Sequence, residues 1–321
     1  MNKTCKLGRL NMKRVFIDGS AGTTGLQIYS RLSKRDDIEL LTLPESERKS
    51  VSARKRLLNS CDIAFLCLPD KAAVEAVELV ENPEVVIIDA STAHRTAPGW
   101  VYGFPELSEE QGELIAGSKR IANPGCHASG FIALVSPLIR DGLLDRDAML
   151  SCFSLTGYSG GGKSMIQEYE GEDGSSLHAP RMYGLTQNHK HLNEMRKICG
   201  LESYPVFCPV VCDFYSGMQV TVPLHSSQLA GKASIEDIIK CYKSAYDRDP
   251  VIKYAELTDH GGMISASSMS GKDGMLVAVY GNEDRIILAS SYDNLGKGAS
   301  GAAIENMNIA LGLDRDYGLF V

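Results

Sequence analysis

A cysteine directly after a proline–glycine turn is the residue in this chain best placed for covalent chemistry. Cys126 ends the run Asn123-Pro124-Gly125-Cys126, and residues 126–140 are predicted to form a helix. At a helix N-terminus the dipole favours the thiolate, which is the nucleophilic form of cysteine. An inert buried cysteine is the alternative, because free cysteine usually behaves as a small apolar residue. The turn and the helix together favour a nucleophile.

Two nearby histidines, His189 and His191, could provide the proton transfer that a thiol nucleophile and carbonyl reduction need. If this segment is extended, residues two apart face the same side and both imidazoles could enter one pocket. One alternative is a structural role, which is the usual one for a single histidine. Another is zinc binding by the pair, but the sequence shows no third ligand for it. The pattern predicts an acid–base role for one of the two and leaves open which.

The segment 157–164 matches the pattern G-x-x-x-x-G-K-[ST], which is typical of a nucleotide phosphate-binding loop. Its position in the middle of the chain is unusual for such a loop. The helix after it soon gives way to the acidic, glycine-containing segment 170–174, and no later predicted strand ends in the acidic residue that would hold magnesium. We therefore predict that the loop binds a phosphate of the substrate, with a P-loop NTPase as the weaker alternative. The candidate ligands in the loop are Ser159, Gly160, Gly161 and Lys163.

A glycine-rich loop follows the first predicted strand, 15–17, and precedes a predicted helix, 26–32. Glycines allow the backbone to approach a pyrophosphate, which the N–H groups of the helix N-terminus then bind. The spacing is G-x-x-G-x-x-G, which departs from the common G-x-G-x-x-G, so a plain strand–helix turn is the alternative. The candidate cofactor ligands in the loop are Gly19, Ser20, Ala21, Gly22, Thr23, Thr24 and Gly25.

The segment after the second predicted strand, 38–43, bears on the choice between NAD and NADP. An NAD site places an acidic residue there to bind the ribose 2′-hydroxyl. In this chain Ser46, Arg48 and Lys49 could hold a 2′-phosphate, whereas two glutamates in the same segment argue for a solvated loop. We expect NADP(H), with Ser46 and Arg48 as ligands.

Residues 89–95 follow the predicted strand 85–88 at its carboxyl end, where open α/β sheets bind ligands. Arg95 could hold a carboxylate or phosphate through two parallel hydrogen bonds. A surface arginine after a helix cap is the alternative. Ser91 is a candidate cofactor ligand in the same segment.

The elements that carry these residues alternate between strand and helix in the first third of the chain. Continuous apolar strands separated by helices predict a parallel sheet that is covered on both faces. After about Pro124 the spacing is longer and less regular, which predicts a mixed α+β second domain. Predicted strands are 15–17, 38–43, 63–68, 85–88, 149–156, 206–211, 218–224 and 276–289, and predicted helices are 26–32, 52–58, 71–80, 126–140 and 298–311.

Composition excludes several classes of protein. The chain has 321 residues, of which 44% are hydrophobic, and a net charge of −7, so no basic surface for nucleic acid or membranes is expected. Nine scattered cysteines without zinc spacing indicate a reducing, cytoplasmic setting and no structural metal. No apolar run is long enough for a membrane span. Residues 1–12 lack the apolar stretch of a signal peptide and are predicted to be a disordered extension.

Taken together, these segments resemble the N-acetyl-γ-glutamyl-phosphate reductases of arginine biosynthesis, specifically the shorter, second type. The resemblance is most specific at 123–127 and at 293–298, which reads Asp-Asn-Leu-Gly-Lys-Gly. It implies an α/β protein in which a Rossmann-type dinucleotide-binding domain, 13–125, is completed by a returning C-terminal helix within 298–321. It also implies an α+β catalytic and dimerisation domain, 126–297, of the semialdehyde dehydrogenase kind.

The resemblance also implies site residues and partners. The expected cofactor is NADP(H), with Asn294 near the nicotinamide, and the expected partners are a small acyl-phosphate substrate and further copies of the chain in a homo-oligomer. Arg95 and Asn123 are expected to bind the substrate. The longer type of the family has an arginine after its second glycine loop, where this chain has Lys163.

The implied mechanism begins with attack of Cys126 on the acyl phosphate, which expels phosphate and leaves a thioester. Reduction by NADPH and collapse of the hemithioacetal then release a semialdehyde, while His189 or His191 transfers protons. Aspartate-semialdehyde dehydrogenase, with the same chemistry on a shorter substrate, is the near alternative. A non-catalytic dinucleotide-sensing protein is another.

Overall fold

The computed structural model describes residues 12–171, 174–259 and 261–321. The prediction of an N-terminal extension falls, for residues 1–11, outside the described residues. Among the described helices, none is both long and apolar enough to cross a membrane.

The first sheet has six strands, all of them parallel, in the order β2-β1-β3-β4-β6-β5. Short runs of apolar residues, buried on both faces, form its central strands. The predicted parallel α/β sheet is therefore confirmed. Its strands are β1 (Lys13–Asp18), β2 (Ile38–Leu41), β3 (Ile63–Leu66), β4 (Val86–Asp89), β5 (Val101–Tyr102) and β6 (Arg120–Ala122), and its helices are α1 (Thr23–Leu32), α2 (Val51–Leu58), α3 (Asp70–Glu78) and α4 (Glu109–Gly117).

The second sheet is mixed and has seven strands, in the order β11-β12-β13-β10-β7-β9-β8. Helix α5 is apolar on nearly all sides and is buried between this sheet and two further helices, α7 and α8. The strands are β7 (Ser151–Gly157), β8 (Arg181–Met182), β9 (Val206–Cys212), β10 (Met218–His225), β11 (Ile252–Tyr254), β12 (Met275–Gly281) and β13 (Arg285–Tyr292), and the helices are α5 (Cys126–Arg140), α6 (Gly162–Glu170), α7 (His191–Cys199) and α8 (Ile235–Tyr246).

The single strand predicted at 276–289 is wrong, because the segment forms two antiparallel strands, β12 and β13, joined by a tight turn. Gly281 adopts φ +123°, and a Cβ there would lie 2.1 Å from the carbonyl oxygen of Arg285. Only glycine tolerates that geometry, so the chain reverses at this point.

The C-terminal segment returns to the first sheet. A π-helical turn, Gly296–Ser300, leads into α9 (Gly301–Ala310). Ala303, Ile304 and Met307 of α9 pack in one core with Val15 and Ile17 of β1. The helix predicted at 298–311 thus begins as a π-turn, which is a local irregularity common near functional sites.

Candidate active site

A cavity of about 430 Å³ lies between the two sheets. From the first sheet it is lined by residues that directly follow strands, among them Cys67 after β3, Ala90 after β4 and Asn123 after β6. The carboxyl ends of parallel strands meet at one edge, which is where open α/β sheets bind ligands. The loops after β1 and β7 also line the cavity, so both glycine-rich segments face the same space.

Cys126 is the first residue of α5 and lines this cavity. Glycine is required on either side of it. A Cβ at Gly125 would lie 2.3 Å from Arg95 Nη1 and 2.4 Å from His191 Nε2, and one at Gly298 would lie 2.9 Å from Cys126 Cβ. The two glycines therefore allow a guanidinium, an imidazole and the π-helical turn to approach the cysteine closely.

Burial raises the pKa of the Cys126 thiol to about 11, although the guanidinium of Arg95 and the backbone N–H groups of Cys126 and His127 oppose that rise. The N–H groups at the helix N-terminus thus act in the expected direction on the pKa, but burial has the larger effect. At neutral pH the thiol is protonated in the free protein, and its reaction as a nucleophile requires a proton acceptor.

The two predicted histidines meet in the cavity, but not in an extended segment. His191 begins helix α7, and its backbone N–H donates to His189 Nδ1 at 3.2 Å. The ring centroids are 4.7 Å apart. Burial lowers the pKa of His189 to about 4 and that of His191 well below its usual range, so both are neutral at neutral pH. A neutral imidazole can accept a proton.

Glu194 joins Arg95 to the backbone just before Cys126, and the sequence analysis missed it. Its carboxylate accepts hydrogen bonds from Arg95 Nη1 at 2.8 Å, from the Tyr102 hydroxyl at 2.8 Å and from the Gly125 N–H at 2.9 Å. It is 1% exposed. The available signal was its place one turn after His191, on the buried face of the same helix.

His127 directly follows Cys126, and the sequence predicts no role for it. Its Nδ1 lies 2.6 Å from Ser154 Oγ and its Nε2 lies 2.6 Å from the Tyr183 hydroxyl. Burial lowers the pKa of His127 to about 3, which keeps the ring neutral. Ser154 lies in β7 and Tyr183 directly follows β8. No spacing in the sequence connects these positions with residue 127.

The loop after β1 has the features of a dinucleotide site. Gly19 adopts φ +88°, and a Cβ at Gly25 would lie 2.5 Å from the Gly19 carbonyl oxygen, so both positions need glycine. Gly22, the N-cap of α1, makes no side-chain cap. Thr23 Oγ1 is buried and has no hydrogen-bond partner within the described part of the chain. An unpaired hydroxyl beside free helix N–H groups suits a phosphate, so these residues fit the pyrophosphate of a dinucleotide.

The predicted residues of this cofactor group do not all face the cavity. Gly22, Thr23, Thr24 and Gly25 line it, as does Asn294, whereas Gly19, Ser20 and Ala21 lie beside it. The side chains of Ser46 and Arg48 are exposed on the surface. Ser91 is buried, and its N–H and hydroxyl donate to Asp89 at 2.9 and 2.7 Å.

The predicted substrate residues also divide into two groups. Arg95, Asn123, Ser159, Gly160 and Gly161 line the cavity. Asn294 Nδ2 donates to Ser159 Oγ at 3.0 Å, which holds the second glycine loop in place. Lys163 lies in the first turn of α6 with an exposed side chain and does not line the cavity.

Comparison with known proteins identifies two domain families along this chain. Residues 14–115 match the family described as semialdehyde dehydrogenase, NAD binding domain. Residues 126–294 match the family described as semialdehyde dehydrogenase, dimerisation domain. The boundary between these two matches falls just before Cys126.

Two relatives that match nearly the whole chain have the same name. The chain is 47% identical to "N-acetyl-gamma-glutamyl-phosphate reductase 2" of Nostoc sp., over 97% of this chain and 100% of that protein. It is 44% identical to the protein of the same name from Pseudomonas putida, over 95% of this chain and 98% of that protein. Among solved structures, aspartate semialdehyde dehydrogenase II of Vibrio cholerae, complexed with ASA, has a TM-score of 0.72 at 17% identity, over 94% of this chain and 99% of that one.

Proposed function

Because this chain belongs to the N-acetyl-γ-glutamyl-phosphate reductases of the semialdehyde dehydrogenase family, we propose that it reduces N-acetyl-γ-glutamyl phosphate with NADPH. The products are N-acetylglutamate semialdehyde and phosphate, in a step of arginine biosynthesis. The observation that carries the proposal is Cys126 at a helix N-terminus, beside Arg95 and His191, in one cavity with the glycine loop of α1. Aspartate-semialdehyde dehydrogenase is less well supported, because the likeness at 17% identity shows the fold alone.

In the first step the Cys126 sulfur attacks the acyl carbon of the substrate. A sulfur–carbon bond forms, the carbon–oxygen bond to phosphate breaks, and phosphate leaves. His191 is the proposed acceptor of the thiol proton, because one of its ring nitrogens lies within 4.8 Å of the sulfur. His189, whose Nδ1 accepts from the His191 backbone, would hold the segment in place or share the proton.

During the reaction, negative charge develops on the carbonyl oxygen of the substrate. Hydrogen-bond donors near the start of α5 would stabilise it. The backbone N–H groups of Cys126 and His127 already point toward the cysteine sulfur, so they are the proposed stabilising donors. NADPH, when bound, supplies the hydride that reduces the thioester. The hemithioacetal on Cys126 then collapses to the aldehyde, and His191 returns its proton to the sulfur.

Ser159, Gly160 and Gly161 are proposed to contact the phosphate of the substrate, and Lys163 would approach from the rim. Arg95 is proposed to bind an anionic group of the substrate, with Asn123 beside it. Its guanidinium is oriented by Glu194 and by the carbonyl oxygens of Ala90 and Asn123. No metal is needed, because the leaving group is an anion held by cations and N–H groups.

The cofactor is proposed to lie along 19–25, with Thr23 Oγ1 and the N–H groups of α1 on its pyrophosphate. Ser91, which Asp89 orients, is proposed to bind the cofactor, and Asn294 is proposed to lie near the nicotinamide. The 2′-phosphate would reach the exposed side chains of Ser46 and Arg48.

We expect Arg48→Ala to weaken NADPH binding more than NADH binding, because only NADPH carries the 2′-phosphate. A charge-assisted hydrogen bond contributes roughly 1.5–3 kcal/mol, which corresponds to about a 10- to 150-fold loss. Fluorescence titration with both cofactors measures the difference. Arg248→Ala removes an equally exposed charge after α8 and serves as the control. Equal losses for the two cofactors in Arg48→Ala would assign the 2′-phosphate to Ser46 or Lys49 instead.

The chain is also proposed to form a homo-oligomer through the outer face of the second sheet. Strand register places Phe153, Val206 and Ile287 on that one face, and they are 45%, 54% and 43% exposed. Apolar side chains of this size on one sheet face indicate a partner surface.

The proposed compartment is the cytoplasm, because a cysteine nucleophile must stay reduced to react.

The reverse reaction tests the function directly. Wild-type protein supplied with NADP, phosphate and N-acetylglutamate semialdehyde should produce NADPH. Its kcat/KM should exceed the value for aspartate semialdehyde by roughly 10²-fold, since a pocket made for the acyl group loses those contacts with the shorter substrate. A preference for aspartate semialdehyde would instead identify the near alternative. Turnover that does not depend on phosphate would contradict an acyl-phosphate reaction.

A further inference from the structure

Three potential metal ligands lie close together in the lining of the cavity. Cys126 Sγ, one ring nitrogen of His127 and one of His191 all lie within 4.8 Å of one another. His127 and His191 are buried, and Cys126 is half-buried. A thiolate and two imidazoles are ligands that bind zinc in preference to magnesium or calcium.

The distances between these three atoms are close to the distances between the ligand atoms of a bound zinc ion. Zinc–sulfur bonds of about 2.3 Å and zinc–nitrogen bonds of about 2.0–2.1 Å place tetrahedral ligand atoms about 3.3–3.6 Å apart. If side-chain rotation shortened the distances between these atoms by about 1 Å, the three ligands would fit one ion. The fourth position would face the cavity, as in zinc sites that keep an open place.

The surroundings of the two histidines support metal binding. His127 Nδ1 lies 2.6 Å from Ser154 Oγ, which orients the ring and leaves Nε2 as the metal-facing nitrogen. In the free protein the Tyr183 hydroxyl occupies that nitrogen and would be displaced. His191 Nδ1 is buried and has no hydrogen-bond partner within the described part of the chain. Rotation of that ring toward an ion therefore breaks no bond at Nδ1.

We propose that Cys126, His127 and His191 form a site for one zinc ion, which inhibits the enzyme reversibly by covering the nucleophile. Binding forms one sulfur–zinc and two nitrogen–zinc bonds and releases the thiol proton to solvent, with no change of oxidation state. Inhibition by zinc rests on the proposed function, whereas zinc binding does not. One experiment can therefore contradict the metal site without contradicting the proposed function, and another can do the reverse.

Cobalt(II) is the probe for the metal site, because thiolate ligation produces a sulfur-to-cobalt charge-transfer absorption. Full-length protein, reduced without added thiols, should bind one equivalent of cobalt with that band, and zinc should abolish the band by displacement. Cys126→Ser should lack the band, and His191→Asn should weaken binding at least about 10-fold. Ser154→Ala, which removes the partner of His127, should weaken it roughly 10- to 100-fold. Cys67→Ala removes a different thiol from the same cavity and should keep the spectrum unchanged.

A charge-transfer band that persists in Cys126→Ser, or wild-type protein that binds no cobalt, would overturn the site. Circular dichroism of each variant distinguishes loss of a ligand from loss of fold, and Cys126→Ser changes a single atom. In the reductase assay, zinc should inhibit in proportion to occupancy, and a chelator should restore full activity. Zinc binding without reductase activity would count against the proposed function alone, and reductase activity without zinc binding would count against the site alone.

Discussion

Cys126→Ser is expected to lower turnover by at least roughly 10³-fold, which is the scale seen when a catalytic nucleophile is removed. The thiol already needs a proton acceptor, since burial raises its pKa to about 11. A serine hydroxyl, with a much higher pKa, cannot form a comparable nucleophile beside the same imidazole. Initial rates in both directions measure the loss.

NADPH binding by Cys126→Ser should stay near the wild-type level, because the proposed pyrophosphate site lies on the loop after β1. Cys61→Ala is the matched control: Cys61 is buried in the first domain, does not line the cavity, and should be replaceable with activity largely kept. Retention of more than a few per cent of activity in Cys126→Ser would refute the nucleophile assignment.

Lys297→Met is expected to destabilise the protein by about 3–5 kcal/mol, because it removes the buried one of the two cations that pair with Glu106 and Glu305. Lys297 is 0% exposed, and its ammonium donates to Glu106 Oε1 at 2.6 Å and to Glu305. Arg315 bonds both glutamates and Asp249. Burial alone would lower the pKa of Lys297, but the charges of Glu106 and Glu305 raise it.

Urea unfolding measures this loss as a lower midpoint at an unchanged slope. Adding Glu305→Gln to Lys297→Met should restore part of the stability, because it removes one negative charge from a cluster that has lost a cation. The control is Lys240→Met, which breaks an exposed ion pair with Asp237 and should cost about 0–1 kcal/mol. A loss in Lys297→Met no larger than that of the control would show that the buried cluster contributes little.

This cluster also joins the parts of the molecule that form the site. Glu106 lies in the first domain, Glu305 on α9, and Asp249 after α8. Lys297 belongs to the π-helical turn whose Gly298 packs against Cys126. The C-terminal segment is therefore held to the first domain and to the segment after α8, next to the Cys126 sulfur.

The sequence by itself was sufficient for features determined within a few neighbouring residues. Apolar runs between helices predicted the parallel sheet, because strands buried on both faces need no alternation. The glycine loop and the position of Cys126 at a helix N-terminus were also predictable, since turn and helix start are local properties. The structure places both in one cavity.

Only the tertiary structure decided how these local features combine. The carboxylate of Glu194 meets Arg95 and Gly125 across 69 or more residues of chain, and no spacing rule connects such positions. The same holds for His127 with Tyr183. Lys163 fits its motif by letter, yet the first turn of α6 directs its side chain to solvent. The pKa of Cys126 likewise depends on burial, which packing between the two sheets determines and which the nearby N–H groups and Arg95 do not outweigh.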